Sequence, residues 1–281
     1  MAARDGLDQA ANQKTGQELM ADIHSSAIVS PEAQLADDVS VGPFCVIGPD
    51  VVMDAGCVLH NSVTVEGRTH LGAGCELYTG AVVGKAPQIL GFEDSPVSRI
   101  EIGPRTIIRE HATVHPGSAE QGGLTQVGSD CLLMIGVHIA HDCIVADRCV
   151  LANNVTLGGH VHIGEQVWMG GLAAVHQHCR IGAHAFIGGG AILVDNVIPY
   201  GAVIGNHAHL AGINIVGLRR RGFSRQSIHD LRAAYRMLFA DEGTFSERIE
   251  DTQVAYGASA EVSKILTFIE KNTGRPLCMP S

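Results

Sequence analysis

Residues 127–193 read VGSDCLLMIGVHIAHDCIVADRCVLANNVTLGGHVHIGEQVWMGGLAAVHQHCRIGAHAFIGGGAIL and carry an aliphatic side chain at every sixth position. These positions are Val127, Leu133, Ile139, Val145, Leu151, Leu157, Ile163, Met169, Val175, Ile181, Ile187 and Leu193. The same spacing runs from Ile23 to Val83 and returns at Ile102, Ile108 and Val114. An amphipathic helix would repeat every ~3.6 residues and a half-buried strand every ~2 residues, so neither explains this period.

A solenoid of parallel strands does explain it. Each hexad supplies one short strand and one turn, so three hexads close a triangular coil of about 18 residues. Stacked coils place their strands about 4.8 Å apart and gather the aliphatic side chains into an interior stack. The sequence therefore predicts a mainly β protein, a parallel β-helix built from hexapeptide repeats.

The repeat also divides the chain. We predict a polar, flexible N-terminal leader over residues 1–20 and a β-helix over residues 21–205. Two breaks in the repeat, near residues 85–99 and 116–126, are expected to be loops that leave the solenoid, where binding sites are often found. Residues 206–281 are predicted to form a C-terminal helical domain.

Helical spacing begins after Gly222. Ser224 is the expected N-cap of a first helix, and Thr244 with Glu247 has the pattern of a capping box for a second. A third helix is predicted from apolar residues at helical spacing, namely Val262, Ile265, Leu266 and Ile269.

Composition restricts the class of protein. The chain has 281 residues, of which 46% are apolar and 17% charged, which excludes a disordered chain. No apolar run approaches the roughly 18–20 residues of a membrane-spanning helix, and the polar start lacks the apolar segment of a secretory signal. The net charge of −10 argues against broad nucleic-acid binding. We therefore expect a cytoplasmic protein with no integral membrane segment and no nucleic-acid partner.

The cysteines follow the repeat rather than the spacing of a disulfide framework or a zinc site. Each of Cys45, Cys57, Cys75, Cys131, Cys143, Cys149 and Cys179 lies four residues after an aliphatic position, and only Cys278 lies outside the repeat. No C-x-x-C pair is present. We interpret these thiols as small apolar fillers, which suits a reducing compartment.

Several of the 15 histidines are brought together by the coil period. One coil of 18 residues carries His141 to Gly159, and the next carries Gly159 to Gln177. A parallel column holds Asp142, His160 and His178. The arithmetic thus gathers on one edge the residues His141, Gly159, His160, His176 and Gln177.

Three interpretations of this cluster stay open on spacing alone. The histidines could be solvent-facing corner residues, because polar positions of a hexad point outward. They could bind Zn²⁺ between subunits, as in hexapeptide-repeat carbonic anhydrases. One of them could act as a general base. Asp142 could hold His141 in a productive tautomer, although adjacent residues of an extended strand normally face apart.

Five segments together resemble the UDP-N-acetylglucosamine O-acyltransferase family, enzymes of the first step of lipid A assembly. They are GLTQVGSD (123–130), GVHIAHDC (136–143), VLANNVTLGGHV (150–161), AAVHQHCRIGAHAFIGG (173–189) and GNHAHLAGINIVGLRRRGFS (205–224). The resemblance runs from about Ala21 into the helical tail. It implies a left-handed parallel β-helix and a homotrimer with sites at the subunit interfaces.

The resemblance also implies the reaction. Family members transfer a 3-hydroxyacyl chain from acyl carrier protein to the 3-hydroxyl of UDP-N-acetylglucosamine. No covalent enzyme intermediate, metal or cofactor is implied, apart from the phosphopantetheine arm on which the carrier protein holds the donor. Carrier proteins are acidic, and the run Arg219, Arg220, Arg221 would attract one despite the acidic enzyme.

Matched position by position, the resemblance gives each site residue a role. His141 is the expected general base, Asp142 its partner, and the backbone N–H of Gly159 the expected oxyanion donor. Gly189 and His207 are expected along the acyl chain, where a glycine leaves the groove open and favours a donor of about fourteen carbons. Arg220 would meet the phosphopantetheine-bearing donor. The expected contacts to the sugar nucleotide are Gln88, His138, His160, His176, Gln177, Asn214 and Arg221.

Three departures from the family pattern lie near the substrate. The Asp and Lys that follow the first-loop glutamine in many relatives are missing after Gln88, Val216 replaces an acidic residue, and His178 stands where Phe is common. They raise the alternative of a 3-amino sugar acceptor and an amide product. A later-acting N-acyltransferase normally carries an additional N-terminal domain, which residues 1–20 are too few to supply. A zinc-dependent hydratase and a non-catalytic trimeric scaffold remain as further alternatives.

Overall fold

A computed structural model of the protein describes residues 21–272 and 274–281. The predicted leader over residues 1–20 lies outside the described residues. The described chain winds into a parallel β-helix whose three faces are sheets of eleven, nine and eight strands.

Strands are numbered in chain order, and successive strands fall on successive faces. The first sheet contains β1 (Asp22–Ile23), β4 (Ser40–Val41), β7 (Val58–Leu59), β10 (Glu76–Leu77), β13 (Ile107–Ile108), β16 (Leu132–Leu133), β19 (Val150–Leu151), β22 (Trp168–Met169), β25 (Phe186–Ile187), β27 (Gly201–Ile204) and β28 (His209–Ile213). The second contains β2 (Ile28–Val29), β5 (Val46–Ile47), β8 (Thr64–Val65), β11 (Val82–Val83), β14 (Thr113–Val114), β17 (His138–Ile139), β20 (Thr156–Leu157), β23 (Ala174–Val175) and β26 (Ile192–Leu193). The third contains β3 (Gln34–Leu35), β6 (Val52–Met53), β9 (Thr69–Leu71), β12 (Arg99–Ile102), β15 (Leu124–Val127), β18 (Ile144–Val145), β21 (His162–Ile163) and β24 (Arg180–Ile181).

The register confirms the predicted coil. Ile139 pairs in parallel with Leu157, and Leu157 pairs with Val175, so 18 residues carry the chain to the strand directly above. All three side chains are buried, as is the aliphatic stack as a whole. Removing these methyl groups from water is the main favourable contribution to folding, since aromatic residues are only 4% of the chain.

Tight corners join the strands, and many place a non-glycine residue in the left-handed region. Asp142, His160 and His178 occupy the same corner position in three successive coils, with φ values of 59°, 60° and 65°. Such a backbone is unfavourable for most L residues, while Asp, Asn and His tolerate it better. The repeat therefore imposes an unusual conformation on the residues of the predicted site.

The thiols lie inside the prism, as the spacing predicted. All eight cysteines are free and buried. Several donate to carbonyl groups of the next coil, for example Cys149 Sγ to Gly164 O at 3.2 Å. These donor thiols fill small gaps between coils while their S–H groups reach a carbonyl acceptor.

Both breaks in the repeat are loops that leave the same edge of the prism. The first loop covers residues 84–98, between β11 and β12, and the second covers residues 115–123, between β14 and β15. The second contains a 3₁₀ helix, Ala119–Gln121. Both lie at the edge between the second and third sheets, on the coils that precede His141.

The C-terminal region begins with strands, which differs from the helical domain predicted over residues 206–281. β28 pairs antiparallel with β27 and buries Leu210 and Ile213, so the segment up to residue 213 belongs to the first sheet. A helix then begins at Ile215, before the Gly222 start that the spacing indicated. This helix was missed because it has only six residues and includes Gly217, leaving too short a pattern to detect.

Four helices complete the described chain: α1 (Ile215–Arg220), α2 (Arg225–Leu238), α3 (Phe245–Tyr256) and α4 (Ala260–Glu270). The predicted caps are confirmed, because Ser224 accepts from Ser227 N–H and Thr244 with Glu247 forms a capping box. α4 buries Val262, Ile265, Leu266 and Ile269 as the spacing predicted. Among the described residues, no helix is long and apolar enough to cross a membrane.

Candidate active site

The predicted cluster lies on one edge of the prism, which we call the histidine edge. It consists of the successive corners 140–143, 158–161 and 176–179, where the chain passes from the second sheet to the third. Backbone hydrogen bonds join these corners, from His160 N–H to His141 O at 3.0 Å and from His178 N–H to Gly159 O at 2.9 Å. Residues far apart in the chain are thereby held in rigid register.

The side chains of His141 and Asp142 are in direct contact. His141 Nδ1 lies 2.8 Å from Asp142 Oδ2, and the aspartate side chain is only 4% exposed. Adjacent residues of a strand would face apart, but the left-handed backbone at Asp142 turns its carboxylate alongside the imidazole. Since an ionised carboxylate only accepts hydrogen bonds, Nδ1 is the donor to Asp142, and in the neutral imidazole this tautomer leaves the lone pair on Nε2.

The free nitrogen of His141 lies over Gly159. A Cβ at this glycine would come within 2.6 Å of His141 Nε2 and 2.5 Å of Cε1. Any other residue would push the imidazole out of position, so the close approach requires glycine. Within the described part of the chain the N–H of Gly159 donates no hydrogen bond, which leaves a backbone donor on the corner that His141 contacts.

His160 and His178 extend the edge upward. Their rings stack with centroids 4.4 Å apart, and the ring of His160 meets that of His141 edge-on at 5.0 Å. Burial, together with the neighbouring His178 and His141, lowers the pKa of His160 despite the nearby Asp142. His160 is therefore neutral at physiological pH and can either donate or accept a hydrogen bond.

His138 lies one strand before the edge, on the face of the second sheet. Its Nδ1 is 2.8 Å from Thr113 Oγ1, and burial together with His115 and His141 lowers its pKa. His115 packs edge-on at 5.3 Å and donates from Nδ1 to Lys85 O at 2.9 Å. His115 therefore ties the start of the first loop to the predicted substrate residue.

His176 and Gln177 are held by a residue that sequence reasoning missed. The guanidinium of Arg275 donates to Gln177 O at 2.7 Å and to Val194 O at 2.8 Å, and it also contacts His176 Nδ1. A guanidinium has no acceptor, so Nδ1 of His176 accepts and the proton of this ring is on Nε2. No periodic signal links positions so far apart in the chain.

Cys143, in the same corner as His141 and Asp142, is unsuited to be a nucleophile. Its Sγ donates to Gly158 O at 3.2 Å inside the prism, and burial raises its pKa to about 12. A thiol attacks only as the thiolate, which is negligible at neutral pH with such a pKa. The edge thus offers acid–base chemistry rather than covalent catalysis.

His141, Asp142 and His160 also form the one group in the described chain that could hold a metal ion, since their ligand atoms all lie within 4.8 Å of one another. Asp142 Oδ2, however, already accepts from His141 and from Ser118. The lone pairs of this carboxylate oxygen are therefore already occupied by hydrogen bonds. The geometry supports a hydrogen-bonded His141–Asp142 pair better than a metal centre.

The remaining predicted nucleotide contacts lie on the opposite side of the prism. Asn214 caps α1 and donates to His184 O at 2.9 Å, while Arg221 donates to Gln166 O at 2.7 Å. Arg220 is exposed at the end of α1. These three residues border a cleft of about 800 Å³ against the first sheet, lined by Trp168, Phe186, Ala202, Ile213, Asn214, Ile215, Val216, Gly217, Arg220 and Arg221.

Gly189 and His207 lie at a third location. Gly189 is exposed at the edge between the first and second sheets, and a Cβ there would meet only the backbone of Gly171, with O at 3.3 Å and N at 3.9 Å. His207 is exposed in the turn between β27 and β28, just beyond that edge. A single chain therefore does not bring these residues to the histidine edge.

Curated relatives and solved structures match this chain over more than nine tenths of its length. Acyl-[acyl-carrier-protein]–UDP-N-acetylglucosamine O-acyltransferase of Caulobacter vibrioides is 55% identical over 258 residues, covering 92% of this chain and 98% of the relative. The enzyme of the same name from Azorhizobium caulinodans is 46% identical over 259 residues, covering 92% and 95%. The crystal structure of UDP-N-acetylglucosamine O-acyltransferase from Moraxella catarrhalis superposes with a TM-score of 0.88 at 36% identity, covering 91% and 99%.

The chain belongs to the UDP-N-acetylglucosamine O-acyltransferase family. Two family models agree with this, one for bacterial transferase hexapeptide repeats at residues 124–159 and one for domain 2 of UDP N-acetylglucosamine O-acyltransferase at residues 196–278. The predicted fold, a left-handed parallel β-helix with C-terminal helices, is thereby confirmed, and the protein is an acyltransferase.

Gln88, the last predicted substrate residue of this acyltransferase, is exposed in the first loop. The loop is held at its base by Arg68, which donates to Asp94 at 2.7 Å and to Ser98 O at 3.0 Å. The three residues directly after Gln88 are Ile89, Leu90 and Gly91, so none of them supplies the acid or the base common in the family.

Proposed function

We propose that this acyltransferase moves a 3-hydroxyacyl chain from acyl carrier protein to the 3-hydroxyl of UDP-N-acetylglucosamine, the first step of lipid A biosynthesis. The observation that carries the proposal is the contact of His141 Nδ1 with Asp142 Oδ2 at 2.8 Å, which holds His141 Nε2 close over Gly159. The relatives named for this reaction, and the free thiols expected of a cytoplasmic protein, are consistent with it.

His141 acts as the general base. A sugar hydroxyl is a poor nucleophile, so Nε2 removes its proton as the oxygen attacks the thioester carbonyl, an assistance typically of about 10²–10⁴-fold. The new C–O bond replaces the C–S bond, and the proton passes from His141 to the departing phosphopantetheine sulfur. Asp142 keeps Nδ1–H in place and stabilises the imidazolium that forms between the two transfers.

The N–H of Gly159 stabilises the tetrahedral oxyanion. Among residues 21–272 and 274–281 this donor has no acceptor, and it lies on the corner directly above His141. An oxyanion donor must be close to the base, because both act on groups attached to the same carbon. The absence of a side chain at Gly159 lets the reacting carbonyl approach the backbone.

The complete site requires a second chain, and we infer a homotrimer. In a triangular prism the face of the first sheet lies opposite the edge where the other two sheets meet. Asn214 and Arg221, on the cleft against the first sheet, therefore reach the histidine edge only of a neighbouring copy. A closed three-fold ring repeats this contact three times, with His141 from one chain and Asn214 from the next.

Acyl carrier protein docks on the helical region. Arg219, Arg225, Arg232 and Arg236 line one hollow of about 700 Å³ on α1 and α2, together with His229. The concentration of cations is notable in a chain of net charge −10. A local field of this kind attracts an acidic partner even where the net charges repel. Arg220 lies between this surface and the cleft, in position to meet the phosphopantetheine arm.

One transfer assay tests acceptor and donor together. Purified protein is given UDP-N-acetylglucosamine or its 3-amino analogue, with hydroxyacyl carrier proteins of ten to about fourteen carbons. We expect the 3-hydroxyl acceptor to be used and the longer donor to be preferred, because Gly189 leaves the acyl groove open. Exclusive use of the 3-amino sugar would contradict the proposed 3-hydroxyl acceptor. A preference for the ten-carbon donor would contradict the proposed chain length.

A further inference from the structure

The second loop is attached to Asp142 by one residue, Ser118. The Ser118 N–H lies 2.9 Å from Asp142 Oδ1 and 3.1 Å from Oδ2, and the Ser118 hydroxyl lies 2.8 Å from Oδ2. The Asp142 N–H in turn donates to Thr125 Oγ1 at 2.8 Å. Thr125 is fully buried in β15, just after the loop. The loop and the strand that follows it therefore both hydrogen-bond to Asp142.

These contacts stabilise the buried carboxylate of Asp142. A carboxylate buried to this degree is costly unless its lone pairs are occupied by donors. His141 supplies one donor, and Ser118 supplies two. Oδ2 is shared between the Ser118 hydroxyl and His141 Nδ1, so the serine determines the direction in which this oxygen faces the imidazole.

We propose that Ser118 is a positioning residue for the transfer reaction: by clamping Asp142 it keeps the proton of His141 on Nδ1 and leaves Nε2 free to accept one. The role rests on the proposed function, since it matters only if His141 is the base. The second loop then orients His141 from a neighbouring coil, through Asp142. A loss of orientation lowers kcat, whereas substrate contacts are untouched and both KM values stay constant.

The test is a set of variants in the full-length protein. Ser118→Ala keeps the backbone donor and removes the charge-assisted hydroxyl bond, so kcat should fall about 10-fold with both KM values within about twofold. Ser118→Thr keeps the hydroxyl and should restore the rate. Ser129→Ala is the matched control, because Ser129 N–H contacts Asp147 Oδ1 at 2.8 Å at a corner away from the histidine edge.

A double-mutant cycle separates positioning from general structure. In an Asp142→Asn background, Ser118→Ala should cause no further loss of kcat, because the clamp has nothing left to orient. A full additional loss there, or a rise in KM in place of the fall in kcat, overturns the proposal. If Ser118→Ala does not fold, Ser118→Cys, of similar size but a weak donor, replaces it.

Two further readouts distinguish failure of this role from failure of the proposed function. Nitrogen-15 shifts of the His141 ring should report the Nδ1–H tautomer in the wild type and a mixture in Ser118→Ala. An unchanged tautomer rejects the role of Ser118 alone. Full activity of His141→Ala rejects the base itself, whatever the serine does.

Discussion

His184 is a neutral imidazole buried beneath the cleft on the first sheet. Its ring stacks on Tyr200 with centroids 5.3 Å apart and meets Phe223 edge-on at 5.2 Å. Burial, aided by the charge of Arg221, lowers its pKa to about 4. Its carbonyl accepts from Asn214, so this residue supports the start of α1 and the proposed nucleotide contacts.

This burial predicts a loss of stability in acid. In the unfolded chain a histidine titrates near ~6.5, so the unfolded state takes up a proton that the folded state refuses until about pH 4. Neutral His184 therefore stabilises the fold fully above about pH 6.5, and up to about 3 kcal/mol is lost as the pH falls toward 4. His184→Phe should lose less free energy of unfolding between pH 7 and pH 4.5 than the wild type, measured by urea denaturation.

The exposed His24, changed to Gln, is the matched control, because it removes an imidazole that is not buried. Identical pH slopes for His184→Phe and the wild type would show that this ring is protonated at little cost, contrary to the expectation.

At the level of elements, the C-terminal segment that follows α4 packs across the last coils of the β-helix, and we call it the strap. Leu277 forms a parallel bridge with Asn196, whose side chain donates to Asn272 Oδ1 at 2.7 Å and to Arg275 O at 3.1 Å. Arg275 then reaches the histidine edge at Gln177 and His176. The strap thereby couples the end of the chain to predicted substrate residues.

Arg275→Lys tests this coupling. Lysine keeps the charge but lacks the rigid fork that contacts three acceptors on two segments. We expect the free energy of unfolding to fall by about 1–3 kcal/mol, with a raised KM for the nucleotide sugar and a near-normal kcat. Arg148→Lys, at an exposed ion pair with Glu165, should change stability by less than about 0.5 kcal/mol. Equal effects of the two substitutions would contradict the role of the strap.

At the scale of the whole molecule, the proposed site is split between an edge and the face opposite to it. His141→Ala and Asn214→Ala should each abolish or severely impair transfer in a pure oligomer. Mixed at equal amounts during refolding, they should recover about a quarter of wild-type activity, since a site is intact when one chain supplies His141 and its neighbour supplies Asn214.

The measurement is the transfer rate of the mixed sample against each variant refolded alone. Were both residues used from the same chain, no mixture could assemble an intact site, and activity would stay at the level of the single variants. His24→Ala mixed with wild type controls for losses during refolding.

Much of this protein could be predicted from sequence order alone. The six-residue period determined the coils, because each aliphatic must face the interior of every turn and each coil adds the same 18 residues. That arithmetic placed His141 beneath Gly159 and His160 beside His178, as the backbone hydrogen bonds confirm. The caps at Ser224 and Thr244 were readable because capping depends on residues within one turn of helix.

Other features only the tertiary structure decided. The 18-residue period places residues only within uninterrupted coils. Ser118 and Arg275 lie outside them, so nothing in the order of residues linked either one to the histidine edge. The His141–Asp142 contact depends on a left-handed corner backbone that the solenoid imposes, against the expectation for neighbours on a strand. Local order determined the repeating coil because each hexad packs only on its own neighbours, while the orientation of the base depended on contacts made across loops and between distant turns.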